Sequence, residues 1–219
     1  MELTYFDSAL KMPLMSLPLR STLITLSSNA KVMISPCPSM SDADIHAANG
    51  ITDIVAPSCF HYLGAQKAKR AFPNATLWAA PGLAEKKPKL KWDRLLTPET
   101  WPYQDELEAI SIQGMPKVNE VVFLHRASKT LIVSDLCFNM VDATGVGSWM
   151  ILNLFGTYRK FGVSKFFLKF VADRPAFENS IKDLFTRDFD HLVMGHGNIV
   201  NGNAKSLLAQ AFLERGFQV

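Results

Sequence analysis

The sequence predicts a mixed α/β (α+β) fold in which two β-sheets pack face to face with helices outside, a four-layer αββα sandwich. Two observations predict it. β-rich runs cluster in two parts of the chain, and each cluster finishes in a strand–helix unit. Hairpin-like pairs open the chain and recur in its middle, which counts against the alternative of a purely parallel, doubly wound sheet. The 219 residues, 48% hydrophobic and 20% charged, suit one domain over 1–219 with material for a sizeable core.

In order along the chain, 1–6 alternates as a short strand. Ser21 to Leu26 and Lys31 to Ile34 form a hairpin across the turn Ser27-Ser28-Asn29-Ala30. Ser41 is placed to cap a helix over 42–49, and Gly50 to stop it. A strand over Asp53 to Ala56, a helix over Gly64 to Phe72 and a strand over Thr76 to Ala79 follow. The segment Ala84 to Gln104 holds Pro88, Pro98 and Pro102 and reads as loop with one helical turn. Leu107 to Ile112, Glu120 to Leu124 and Thr130 to Ser134 are β-rich. The remainder reads as a helical stretch over 146–162, a helix over Arg174 to Arg187, a strand over His191 to Met194, the tight loop Gly195-His196-Gly197, and a closing helix over Ala204 to Arg215.

Composition narrows the function classes. A net charge of +3 with no basic run gives no support to nucleic-acid binding. No apolar stretch reaches the roughly 18 residues that span a bilayer, so no membrane partner is expected. Cys37, Cys59 and Cys137 form no close pair, which fits a reduced, cytoplasmic protein. Trp and Phe at the rim of an open cleft leave room for a homodimer.

Several segments together resemble the metallo-β-lactamase superfold. Lys31 to Ser35 is similar to an early strand of that fold. Thr52-Asp53-Ile54-Val55-Ala56-Pro57-Ser58 resembles the strand leading into the family's His-x-His-x-Asp-His motif, and 72–79 the strand after the motif's helix. Thr130 to Leu136 resembles the strand ending in the bridging aspartate, and Leu192 to Gly197 the closing Gly-His-Gly loop. More narrowly, Glu120 to His125 with Ser128, Thr130-Leu131-Ile132 and Asp135 resembles an uncharacterised branch, a domain of unknown function (DUF4336-like).

The resemblance implies metal ions at the mouth between the sheets, held by imidazole and carboxylate, a donor set that suits Zn or Fe. His196 matches the last histidine, Asp135 the bridging carboxylate and His125 the third histidine of the first cluster. That cluster is otherwise degraded. One register puts Ser58, Phe60, Tyr62 and Leu63 on the ligand positions; the next puts Cys59, His61, Leu63 and Gly64 there. Neither restores the Asp-His pair, so two full metal sites are not expected. Two readings stay open. In one, the cleft is non-catalytic and binds a small molecule without metal. In the other, His61, His125, Asp135 and His196 hold one Zn or Fe ion of a mononuclear hydrolase acting on a small ester or thioester-like substrate. Four protein ligands would close such a site. The bland alternatives are a turn-capping Asp135 and loop-bonded histidines. A nucleophilic Cys59 would need His61 as its base.

Overall fold

A computed structural model describes residues 2–219; Met1, included in the expected first strand, lies outside the described residues. The first sheet runs, in spatial order, β1 (Glu2–Lys11), β2 (Ser16–Thr25), β3 (Lys31–Ile34), β4 (Asp53–Ala56), β5 (Thr76–Ala79) and β6 (Arg94–Leu95). Its first three strands are antiparallel and β3 to β6 are parallel. Helices α1 (Asp42–Ala47), α2 (Ala65–Ala71) and α3 (Leu83–Lys86) supply the crossovers.

The second sheet begins with the meander β7 (Leu107–Ser111), β8 (Val121–His125) and β9 (Thr130–Val133). The chain then makes β10 (Phe138–Asn139), α4 (Val146–Phe155) and β11 (Phe161–Gly162), with β10 and β11 paired as a short ribbon. After α5 (Lys165–Leu168) and α6 (Arg174–Leu184), β12 (His191–Met194) joins β9 in parallel, and β13 (Val200–Asn201) closes that edge before α7 (Ala204–Leu213).

Alternation along the strands fixes the layers, because successive side chains point to opposite faces. Val32, Ile34 and Val55 of the first sheet meet Val121, Phe123, Ile132 and Val193 of the second in one inter-sheet core. Met33, Ile54 and Ala56 turn outward onto Ala65, Ala68 and Leu83 of the first helical layer. Val122, Leu124, Leu192 and Met194 turn outward onto Phe177, Ile181 and Phe212 of the second. The result is the αββα order. Phe123, Phe177 and Phe212 are fully buried, and burying such a side chain contributes roughly 1.5–3 kcal/mol.

Some elements differ from expectation. The opening strand runs to Lys11, and Ser21 to Thr25 is only the second half of β2. The outer half of this hairpin stands partly in solvent and carries Asp7, Lys11 and Pro18, so no clean alternation marked it. The proline-rich segment forms α3 but also the short edge strand β6. The helical stretch after residue 146 ends at Gly156, in the left-handed region at φ +72°, and the chain continues into β11. The expected N-terminal cap holds, since Ser41 and Asp44 form a reciprocal capping box at α1, but the helix ends at Ala47, short of the expected stop at Gly50. Among the described residues, no helix is long and apolar enough to cross a membrane.

Candidate metal centre

The carboxyl ends of β3, β4, β9 and β12 converge at one edge of the sandwich, the edge where open sheets gather their sites. Ser35 follows β3, His61 lies in the loop after β4, Asp135 follows β9 and His196 follows β12. His61 Nε2 and His196 Nε2 stand 3.2 Å apart. His61 Nε2 is 3.3 Å from Asp135 Oδ2 and His196 Nε2 is 3.2 Å from Asp135 Oδ1. Donor atoms of these three residues all lie within 4.8 Å of one another. Two metal–nitrogen bonds of about 2.0–2.1 Å at a tetrahedral angle place their nitrogens about 3.3 Å apart.

Each imidazole is oriented through its other nitrogen. His196 Nδ1 lies 2.8 Å from the Pro18 carbonyl, which can only accept; Nδ1 therefore donates to it, and Nε2 is the nitrogen turned toward His61 and Asp135. β3 pairs with β2 only over Thr22 to Thr25, so Pro18 lies where that side of β2 is free. The same free side accommodates the loop after β12: the Arg20 backbone N–H donates to Gly195 O at 3.0 Å, and the Arg20 guanidinium donates to Gly197 O at 2.7 Å. His61 Nδ1 meets Ser35 Oγ at 2.6 Å. Ser35 occupies the left-handed region at φ +53°, uncommon for a residue with a side chain and costly unless its surroundings hold it there.

The glycines flanking His196 have separate reasons. A Cβ on Gly195 would sit 2.8 Å from His61 Cε1 and 3.0 Å from the Ser134 carbonyl, so this glycine lets the two histidines approach. Gly197 has φ +92°, and a Cβ there would collide with the Asn139 carbonyl. Phe138 stacks on the His196 ring at 5.2 Å between centroids.

A buried acid that sequence reasoning missed, Glu120, supports the aspartate loop. It precedes β8, which antiparallel pairing sets beside the end of β9. Its carboxylate accepts from the N–H of Ser134 at 2.6 Å and of Asp135 at 3.1 Å. Burial, with Asp135 nearby, pushes Glu120 up to about 7 against the pull of those N–H groups and His61. Burial also opposes ionisation of Asp135, but His61 and His196 override it and hold that carboxyl well below the usual range. Burial likewise disfavours a charged His61, and Asp135 more than compensates, so its pKa is raised. Asp135 Oδ2 is buried and accepts no well-aligned hydrogen bond, His61 Nε2 at 3.3 Å being the polar atom beside it, which suits an atom shaped to receive a cation.

Three of the four expected ligands are thus brought together; His125 is not. It ends β8, pairs with Thr130 at the start of β9 and bonds Ser128 Oγ through Nδ1 at 2.7 Å. From Thr130 to Val133 the strand climbs roughly 10 Å, so His125 and Asp135 mark opposite ends of the sheet. The expectation that His125 and His196 share an ion is overturned, along with the closed four-ligand site, while the fold expected alongside it stands. Nor do Cys59 and His61 pair: Cys59 Sγ lies 3.5 Å from Pro81 O, burial raises its pKa, and both His61 nitrogens face other groups. Trp101 belongs to the inter-sheet core beside Trp78 and Phe123. Phe170 packs on Phe60, which lines the cleft.

That cleft has a volume near 190 Å³ and is walled by Leu10, Leu17, Leu19, Phe60 and Leu63 around the three donors. Layers and site edge together define the metallo-β-lactamase fold, and solved structures share it. The DIM-1 metallo-β-lactamase exposed to ceftazidime superposes with a TM-score of 0.67 at 13% identity, covering 97% of this chain and 93% of that one. The metallo-β-lactamase from Pontibacter korlensis gives 0.65 at 15%, covering 94% and 92%. The mono-zinc form of FIM-1 from Pseudomonas aeruginosa gives 0.66 at 11%, covering 97% and 92%. No protein-family model and no curated protein matches the sequence.

Proposed function

We propose that this chain holds one Zn or Fe ion through His61, Asp135 and His196 and hydrolyses a small ester or thioester-like substrate. The observation that carries this reading is the convergence of two imidazole nitrogens and a carboxylate at mutual distances of 3.2–3.3 Å. Two histidines and one carboxylate leave coordination positions open, as catalytic rather than structural sites do. When bound, such an ion supplies Lewis acidity and brings the pKa of water toward 7.

The chain's own residues do the rest. Ser35 and the Pro18 carbonyl hold the two rings in place, Glu120 fixes the loop that carries Asp135, and the leucine-lined walls suit a small, mostly apolar group. The cleft is smaller than the roughly 300–1,000 Å³ of drug-sized sites, which favours a compact substrate. Metal content, followed by hydrolysis of short-chain aryl esters and thioesters by the loaded protein, tests the proposal. Full metal occupancy without turnover of any of them would sink the hydrolase part alone.

The second reading is a metal-free small-molecule binder. It is favoured by the charge balance: a protonated His61 beside the ionised Asp135 satisfies the site electrostatically. The absence of further donors at Ser58, Phe60, Tyr62 and Leu63 supports it too. Placement in the DUF4336-like branch is supported by the run Glu120 to His125, and a cytoplasmic location by three buried free cysteines.

A further inference from the structure

The absence of a spanning segment leaves open whether the protein rests on a membrane, and α4 raises that question. Its exposed face presents Val146, Trp149, Met150, Asn153 and Leu154, the i, i+3, i+4, i+7, i+8 positions of one helical stripe. Val146 is 83% exposed and Leu154 73%. The inward face carries Gly147 and Ser148 and anchors the helix through Leu152, buried with Met15 and Met140, and Ile151 packed beside them. The helix is therefore apolar on both faces, where a surface helix ordinarily turns a polar face to water.

The patch extends beyond the helix. A Cβ on Gly147 would collide with the Leu14 carbonyl, so the tip of the β1–β2 hairpin lies against α4 and adds Met12 and Leu14, both exposed. At the other end Phe155 stacks on exposed Phe166 of α5 at 4.8 Å. A contiguous exposed apolar surface of this kind marks an interaction site.

Charge identifies the occupant. From Ala143 to Ala172 the sequence contains no Asp or Glu and four basic residues, Arg159, Lys160, Lys165 and Lys169. Lys11 stands at the hairpin tip, and Lys165 packs its stem against Gly156 at the end of α4. The nearby acids are Asp142, ahead of α4, Asp7, which lines the same hollow as Ser148 and pairs with Arg20, and Glu214, which pairs with Lys160. Apolar side chains with a Trp, rimmed by lysine and arginine, are the composition that seats a helix in the plane of an anionic bilayer. A two-fold contact with a second copy would set this basic rim against itself.

We propose that α4 and the β1–β2 hairpin tip form a docking surface for a bilayer bearing anionic lipids. Sedimentation of the full chain with phosphatidylcholine vesicles, with and without phosphatidylglycerol, tests this. The chain is expected to pellet with the anionic vesicles, shift its tryptophan emission to the blue, and release as salt is raised. Lys165→Gln and Lys169→Gln should each weaken partition roughly fivefold. Trp149→Ser combined with Leu154→Ser should abolish pelleting with an unchanged circular dichroism spectrum. If that pair does not fold, Val146→Ser alone should weaken partition several-fold. No pelleting with anionic vesicles at low salt overturns the proposal, and so does undiminished pelleting of the serine variants. A dimer in light scattering that those variants split into monomers also overturns it, assigning the face to a second copy.

Discussion

His61 and His196 face one another through their Nε2 atoms at 3.2 Å, although 135 positions separate them along the chain. One Nε2–H can donate to the other nitrogen at this distance, and under the proposed function an ion between them, with Asp135 as third donor, takes that proton's place. Untagged protein supplemented with Zn or Fe should therefore carry about one equivalent of metal, and Asp135→Ala or His196→Ala should carry almost none. Elemental analysis giving less than about a tenth of an equivalent for the intact chain would leave the metal-free binder as the surviving reading.

The supporting hydrogen bonds predict a graded effect. Ser35→Ala removes the partner of His61 Nδ1 without touching a donor atom. Metal affinity should fall about 10–100-fold while the protein stays folded. Competition against a chromogenic chelator measures it, and an unchanged affinity would show that Ser35 does not orient the ring.

Acidity predicts opposite trends with and without metal. In chelator-treated protein, Glu120 and His61 both have raised pKa values, so the stability they confer is complete below their unfolded values and lost as pH rises through the folded ones. For Glu120 the window runs from its ordinary 4.5 to about 7, a loss on the order of 3 kcal/mol. Asp135, with a lowered pKa, contributes stability above its ordinary value and loses it only in strong acid. Metal binding requires neutral imidazoles, so affinity should rise over the interval in which the metal-free protein weakens. Denaturant unfolding of Glu120→Gln should lack most of the slope between pH 5 and pH 7; a slope equal to the parent's would count against Glu120 as its source.

Glycine substitutions separate the two flanks of His196. Gly195→Ala should displace His61 and reduce metal affinity more than stability. Gly197→Ala meets both a left-handed backbone and the Asn139 carbonyl, and should cost about 3 kcal/mol or more. Thermal unfolding and metal titration of the pair distinguish them.

His125 gives the complementary expectation. Its Nε2 is buried without a partner, and leaving such an atom unsatisfied costs about 1–3 kcal/mol. His125→Leu should retain full metal content and be near neutral in stability. Loss of metal in this variant would contradict its placement at the far end of the sheet.

The buried strands were readable from sequence because both their faces are covered. Asp53–Ala56, Thr76–Ala79 and His191–Met194 are compact apolar runs bounded by turn residues, and the structure gives them the expected bounds. The β1–β2 hairpin was only half readable, since its outer part packs on little. Asp135 and His196 were singled out by the resemblance to a bridging aspartate and a closing Gly-His-Gly loop, and both do follow strands. His125 misled because it, too, follows a strand: in an antiparallel hairpin the end of one strand lies beside the start of the next, a relation that residue type alone does not carry. The same rule, applied to an acid at the start of β8, would have found Glu120.

The three donors are divided between the two sheets, His61 on the first and Asp135 with His196 on the second. An ion held among them would rivet the halves of the sandwich together, so extracting it should loosen the inter-sheet core as well as empty the cleft. It also orders events during synthesis. His196 is the last donor in chain order, so a growing chain cannot close the proposed coordination sphere until that residue has left the ribosome, and products truncated before it would be unable to sequester metal.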